Sequence, residues 1–366
     1  ISASPLTLPA HASLLTGLRP PEHGVRDNGT ARLAETIPTL ATVLSDHGYE
    51  TGAFVSSRVL DRRFGLARGF ATYDESMTAE NLGQYGYPER AAEAVTTAAI
   101  DWLSWLSAEE PYLLWVHYYD PHLPYAPPEP WRSGTTAGDY AGEIAFVDRQ
   151  IGRLLAALPD GAPPPVIAVV GDHGEALGEH GEESHGIFLY RASVEVPLLL
   201  AGPGVPAGRV VEEVVASRRL TATLLQLLGF DRQAGSLGAG LPGIDPAEPS
   251  PEPVYGESRM PASAYGWSSL ASLTDQRWRF LDAPRPELYD LATDPAEERN
   301  LIDREQARAA EMSTLLTELA GDASRAGEEL EIDPDLAADL RALGYLSDSG
   351  AEPGEIDPKD GVTMLA

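Results

Sequence analysis

Apolar positions along this chain follow two periods, and the most telling run is Val166-Ile-Ala-Val-Val170, which passes at once into Gly171-Asp172-His173-Gly-Glu175. Five apolar, mostly β-branched residues predict a fully buried parallel strand, with polar groups beginning at its carboxyl end, where α/β proteins hold ligands. Upstream, Thr36 is expected to cap a helix with Pro38 in its first turn and Ile37, Leu40, Val43 and Leu44 at helical spacing, closing at Gly48. Thr51-Gly-Ala-Phe-Val-Ser56 then reads as a strand. A helix from Pro88 to about Leu106 carries Val95, Ala99, Trp102, Leu103 and Leu106 on one face, and Tyr112 to His117 is the next strand. Residues 140 to 158 predict a further amphipathic helix through Ile144, Val147, Ile151, Leu154, Leu155 and Leu158. These alternations are βαβ units and predict an α/β fold, a mostly parallel central sheet flanked by helices.

Beyond the central strand, Val194 to Leu200 reads as a strand and Leu220 to Leu228 as a helix, which closes a catalytic core over residues 1–230. Residues 231–253, rich in Gly and Pro, form a linker or long loop. Short antiparallel strands at 253–257, 268–274 and 277–281, with a helix over about 303–320, predict a smaller C-terminal subdomain over 254–320. Residues 321–366 read as an acidic tail leading out of the domain.

Asp172, His173, Glu175, His180 and His185 lie between positions 172 and 185, although the whole chain has only 8 His. On a glycine-rich turn a carboxylate and an imidazole can converge on a divalent cation, whereas a lone Asp-His pair would read as a solvated acidic loop. Near the start, Ser4-Pro-Leu-Thr7-Leu-Pro9 precedes a short helix that ends before Gly17. Thr7 therefore stands at a helix N-terminus, either as a plain cap or as a hydroxyl nucleophile facing an anion. The strand at 112–117 feeds the proline-stiffened loop Tyr118-Tyr-Asp120-Pro-His122-Leu-Pro-Tyr125, which again puts Asp and His past a strand end.

The formal net charge is −30, from 56 acidic and 26 basic residues, and this disfavours nucleic acid or an anionic membrane as partner. It also requires local positive charge, such as a metal, at any site for an anionic substrate. The absence of Cys excludes disulfides, thiolate metal sites and a Cys nucleophile. No stretch reads as a membrane span.

Several segments in order resemble the sulfatase-like branch of the alkaline phosphatase superfamily. Thr7-Leu-Pro9-Ala-His11-Ala-Ser-Leu14-Leu-Thr16-Gly17 is similar to its nucleophile motif, Gly171-Asp172-His173-Gly-Glu-Ala-Leu-Gly-Glu-His180-Gly to its second metal-ligand block, and Pro286 to Leu301 to its C-terminal signature. The resemblance implies a metal held by Asp172, His173 and the Thr7 oxygen, with Zn²⁺ favoured over Ca²⁺ or Mn²⁺ and one or two ions per site. It implies that His122 and His185 contact the phosphoryl group or a second metal, that Asp120 can join that second site, and that Asn28 lies near the phosphoryl oxygens. Its fold expectation is a sulfatase-like core with a C-terminal antiparallel layer.

True sulfatases carry Cys or Ser at the nucleophile position and convert it to formylglycine, which Thr cannot become. Thr is used by the superfamily's nucleotide pyrophosphatase/phosphodiesterases and phosphoethanolamine transferases, and His185, twelve residues past His173, is similar to the latter's pattern. The leading expectation is thus a metal-dependent phosphate ester hydrolase, diester before monoester, working through phosphothreonine, with His122 as proton donor. The alternatives are a sulfatase working through unmodified Thr, a phosphoethanolamine-type transferase, and a pseudoenzyme domain. The expected substrate is a small-molecule, glycan-linked or lipid-linked ester, and the family favours an extracytoplasmic location. The family's first strand has no counterpart before Ile1, and Leu340-Arg-Ala-Leu-Gly-Tyr345 resembles proteins that continue into tetratricopeptide repeats. A fragment is therefore expected, with protein partners through such repeats.

Overall fold

The computed structural model describes residues 1–77, 90–159, 161–230, 240–244, 251–321, 328–330, 332–345 and 354–365. These form two compact units, one of residues 1–37 with 165–366 and one of residues 38–164. Helix α1, Thr7–Thr16, opens the larger unit, and Gly17 ends it in the left-handed region at φ 74° with its N–H on the Ser13 carbonyl.

The smaller unit is a βαβ structure. Helix α2 (Leu40–Asp46) precedes strands β1 (Glu50–Phe54) and β2 (Thr72–Asp74); helix α3 (Ala92–Leu103), strand β3 (Tyr112–Val116) and helix α4 (Thr136–Ala156) follow. The three strands are parallel with β1 in the middle. Phe54, Val95 and Ala99 form the contact between sheet and α3, with Trp102 edge-on to Phe54. The expected cap at Thr36 is displaced: Thr39 caps α2, accepting the Thr42 N–H at 3.1 Å while the Thr42 hydroxyl accepts the Thr39 N–H at 2.8 Å. That reciprocal pair satisfies two orphan donors at once, which Thr36 could not do. In α4 the buried positions are Gly142, Glu143, Phe146 and Gln150, whereas Ile144 and Leu155 are exposed. Glu143 turns inward because its carboxylate accepts the N–H groups of His122 and Ala126, at 3.0 and 2.6 Å, and so fixes the proline loop. The expected start of α3 at Pro88 lies outside the described residues.

In the larger unit, strand β4 (Ile167–Val170) departs from expectation in two ways. It pairs antiparallel with β5 (Leu198–Ala201), and its residues are half-buried. The connection between them holds only short turns and the single helical turn Arg191–Val194, without the crossover helix that a parallel partner requires. Helix α5 (Arg219–Leu227) packs on α1, where the Thr221 hydroxyl donates to the Leu14 carbonyl. Strands β6 (Val254–Ser258), β7 (Leu270–Thr274), β8 (Trp278–Asp282) and β9 (Glu287–Asp290) form an antiparallel sheet in that order. Helix α6 (Gln306–Ala320) covers it through Ala309, Met312 and Leu316 against Tyr255, Leu273, Phe280 and Leu288. The residues before α1 are tied on several sides, Ser2 N–H to the Val194 carbonyl at 2.7 Å and Glu257 N–H to the Ala3 carbonyl at 3.0 Å. That lacing positions α1.

Residues 231–239 and 245–250 of the expected linker lie outside the described residues. In the C-terminal stretch, Pro358–Gly361 returns to the sheet, with Lys359 Nζ donating to the Arg285 carbonyl at 2.6 Å and Arg285 paired with Asp360 at 2.8 Å. Among the described residues no helix is long and apolar enough to cross a membrane.

Candidate active site

Thr7 is the first helical residue of α1, and the N-cap is Leu6, which offers no side-chain cap. The Thr7 hydroxyl is buried and lies 3.3 Å from His173 Nε2. Beside it, Asn28 Oδ1 accepts the Leu8 N–H at 2.9 Å, meeting one of the helix's orphan donors. Asn28 Nδ2 is buried and has no acceptor. An amide donor with unspent hydrogens at a helix N-terminus, where the dipole is positive, is a place for an anionic oxygen.

Asp172 and His173 follow β4 directly. The Asp172 carboxylate accepts the His173 N–H at 2.9 Å, and its other oxygen lies 3.6 Å from His173 Nε2 and 3.4 Å from His11 Nδ1. His173 Nδ1 is 2.9 Å from the Gly174 carbonyl, which makes it the protonated nitrogen and leaves the Nε2 lone pair facing Thr7 and Asp172. Burial, above all, holds the His173 pKa below its ordinary value, so the neutral ligand form is favoured. A divalent ion with bonds of about 2.1 Å to tetrahedral donors has donor edges of about 3.4 Å. The Thr7 to His173 and His173 to Asp172 separations bracket that value, and the donor set of carboxylate, imidazole and hydroxyl oxygen fits such a cation.

His185 packs its ring on His173 at 4.2 Å between centroids. Burial would lower its pKa, but the Glu175 carboxylate, 2.9 Å from Nδ1, more than offsets this and raises it. The pKa values of two touching imidazoles are therefore driven apart, His173 down and His185 up, an arrangement suited to acid and base roles. In the sequence Glu175 stands out only as part of the acidic cluster, and His11 only as part of the motif that contains Thr7. His11 could have been flagged by its place four residues after Thr7 on a helix, where its Nδ1 reaches the Thr7 carbonyl at 2.9 Å.

His180, counted with the cluster in the sequence, is not part of it. Turns at Gly178 and Gly181, both at positive φ, swing it outward, where it stacks on Tyr190 at 3.6 Å and bonds the Ala296 carbonyl at 3.2 Å. Asp120 and His122 belong to the smaller unit. There Asp120 accepts the Ala92 N–H at 2.9 Å, and His122 stacks on Tyr119 at 4.1 Å with Nδ1 at 2.7 Å from the Leu123 carbonyl.

The loop carrying His185 is anchored by Glu182, which accepts the Ile187 N–H at 2.7 Å and the Ser193 hydroxyl at 3.0 Å. Burial, the dominant cause, pushes its carboxyl from 4.5 up to about 7. The folded state thus prefers the protonated form, and the stability gained is complete below pH 4.5 and lost as pH rises through about 7. Glu182→Gln keeps a neutral acceptor, so its melting temperature at pH 8 is expected to exceed that of the wild type by about 3 °C or more. Melting curves across that window check this; parallel pH profiles for the two proteins refute it.

The sulfatase family model matches residues 1–230. The chain belongs to the sulfatase family. It is 24% identical to a Δ4,5-hexuronate-2-O-sulfatase of Bacteroides thetaiotaomicron, over 96% of this chain and 86% of that protein. It is 22% identical to a sulfatase of Formosa agariphila, over 80% and 73% of the two chains. A protein solved in complex with its substrate D-glucosamine-2-N,6-O-disulfate superposes with a TM-score of 0.72 at 18% identity, over 90% of this chain and 91% of that one. The phosphonate monoester hydrolase of Agrobacterium radiobacter does so at 0.69 and 20%, over 88% and 87%. This chain is thus a sulfatase-like hydrolase acting on ester bonds, in a family whose members bind a divalent metal. The names of the relatives favour the sulfate ester, the alternative in the sequence reading, over the phosphodiester placed first there.

Proposed function

We propose that this chain hydrolyses a sulfate ester carried on a small molecule or a glycan, with the unmodified Thr7 hydroxyl as nucleophile. The observation that carries the role is the Thr7 Oγ1 at a helix N-terminus, buried, uncommitted to capping and 3.3 Å from His173 Nε2. Asp172, His173 and the Thr7 oxygen would hold the divalent ion, with zinc suited to the mixed oxygen and imidazole set. When bound, the ion lowers the pKa of the hydroxyl and offsets charge on the attacked group.

The protein's own groups do the rest. Asn28 Nδ2 holds an ester oxygen, and His185, whose pKa the Glu175 carboxylate raises, donates to another. Thr7 Oγ1 bonds to sulfur as the bond from sulfur to the ester oxygen breaks, and the proton given up by the hydroxyl ends on the departing alcohol. Water then cleaves the acid from Thr7.

The second reading is a phosphate ester, and Thr7 itself favours it. A threonine side chain has no route to an aldehyde hydrate, so its sulfated form can be cleared only by attack of water on sulfur, whereas phosphothreonine is open to attack on phosphorus. Initial rates on para-nitrophenyl sulfate, para-nitrophenyl phosphate and bis-para-nitrophenyl phosphate separate the two. Faster turnover of the sulfate is expected on the first reading. A preference for either phosphate by about a hundredfold in kcat/KM, about 2.7 kcal/mol of transition-state binding, replaces it with the second.

A further inference from the structure

Two guanidinium groups with unspent donors lie in the same compact unit as Thr7, in a chain with 56 acidic and 26 basic residues. Arg26 spends its Nε on Glu257 at 2.7 Å and its Nη2 on the same carboxylate, while its Nη1 is buried with no acceptor. The Arg259 carbonyl accepts the Ala262 and Ser263 N–H groups at 3.0 Å, but its half-buried side chain makes no hydrogen bond or ion pair with any described residue. The carboxylates that could serve it are committed. Glu257 holds Arg26 and the Tyr255 hydroxyl, and Asp27 holds the N–H groups of Gly29 and Thr30 and the Thr30 hydroxyl. Burial and then the neighbouring Arg26 charge lower the pKa of Arg259, and the nearby Glu257 and Asp27 carboxylates offset this only in part.

The place of these groups follows from one packing contact. A Cβ on Gly186 would fall 2.3 Å from the Met260 sulfur and 3.2 Å from Leu6 Cδ2, so Met260, Gly186 and Leu6 meet. Arg259, His185 and Thr7 are each one residue away from that point. Arg26, in turn, is two residues from Asn28, which is bonded to the first turn of α1.

We propose that Arg259 and the Nη1 of Arg26 form an anion subsite beside Thr7, which recognises a second negative group, a carboxylate or another sulfate or phosphate, on the alcohol portion of the substrate. The substrate class is thereby narrowed to esters carrying at least two anionic groups. A planar guanidinium with free donors is suited to binding such a group, and an anion placed between Arg259 and the unspent Nη1 of Arg26 offsets the charge that Glu257, ion-paired with Arg26 alone, leaves unbalanced. This inference rests on Thr7 marking the reacting centre.

Its test reads binding alone, so it passes or fails independently of turnover. Calorimetric titration of the full chain with para-sulfobenzoate and with benzenesulfonate compares a two-anion probe with its one-anion counterpart. The wild type is expected to bind para-sulfobenzoate about tenfold tighter, Arg259→Gln to lose that ratio, and Arg259→Lys to keep part of it. Thr7→Ala should leave the ratio intact, because the hydroxyl does not contact the second anion. A wild type with no preference, or an Arg259→Gln protein with the wild-type ratio, overturns the subsite. If Arg259→Gln does not fold, a full wild-type ratio in Arg259→Lys together with none lost in Arg26→Lys also overturns it.

Discussion

Replacing Thr7 with Ala is expected to lower kcat by about a thousandfold or more on whichever ester the wild type turns over, with the divalent metal content largely kept. The covalent route disappears with the hydroxyl, while Asp172 and His173 remain in place at their separation of 3.6 Å. Stability should change little, because Leu6 and not Thr7 occupies the N-cap and no side chain there caps the helix. A cap residue would have cost about 1 kcal/mol on truncation and spared catalysis. Thr7→Ser keeps the hydroxyl and loses only the methyl that restricts its rotamer, so part of the activity should return. Single-turnover and steady-state rates on a metal-analysed protein decide the matter. Normal kcat in folded, metal-replete Thr7→Ala ends the nucleophile assignment.

Asp172→Ala should have an effect of similar size by a different route. Its carboxylate lies within 3.6 Å of both His173 Nε2 and His11 Nδ1, and it is the anionic member of the donor set. Without it the remaining donors are neutral, the ion is held weakly, and kcat/KM should fall by about a thousandfold or more together with metal content. Added metal at high concentration should restore part of the activity in Asp172→Ala and none in Thr7→Ala. Full metal occupancy in Asp172→Ala, measured by elemental analysis, refutes the ligand role. The two variants together separate loss of the nucleophile from loss of the cation.

Much of the site was legible before any coordinates because its groups are local in sequence. Gly17 as a left-handed stop and Pro9 near the first turn fix α1, and with it the place of Thr7, by backbone chemistry alone. Asp172 and His173 sit on the turn that follows an apolar strand, and their position is set by where that strand stops. The spacing from His173 to His185 was readable too, but it carried no information about Glu175, whose effect depends on a carboxylate reaching 2.9 Å from a buried ring.

What the sequence determined by itself was the order of most elements and the family's motifs, with the candidate groups Thr7, Asp172 and His173 placed on them, since these depend on short-range pattern. Tertiary structure decided the rest. An apolar run requires dryness and says nothing of pairing, so β4 took an antiparallel partner once the connection to β5 proved to lack a crossover helix. Helical periodicity placed Ile144 inward, but the backbone N–H groups of the proline loop needed an acceptor, and Glu143 was drawn in instead. The opposite pKa shifts of His173, downward, and His185, upward, were set by burial and by one carboxylate. Contacts such as that of Met260 with Gly186, seventy-four positions apart, exist only in the folded chain, because long-range packing and desolvation are properties of the assembled interior.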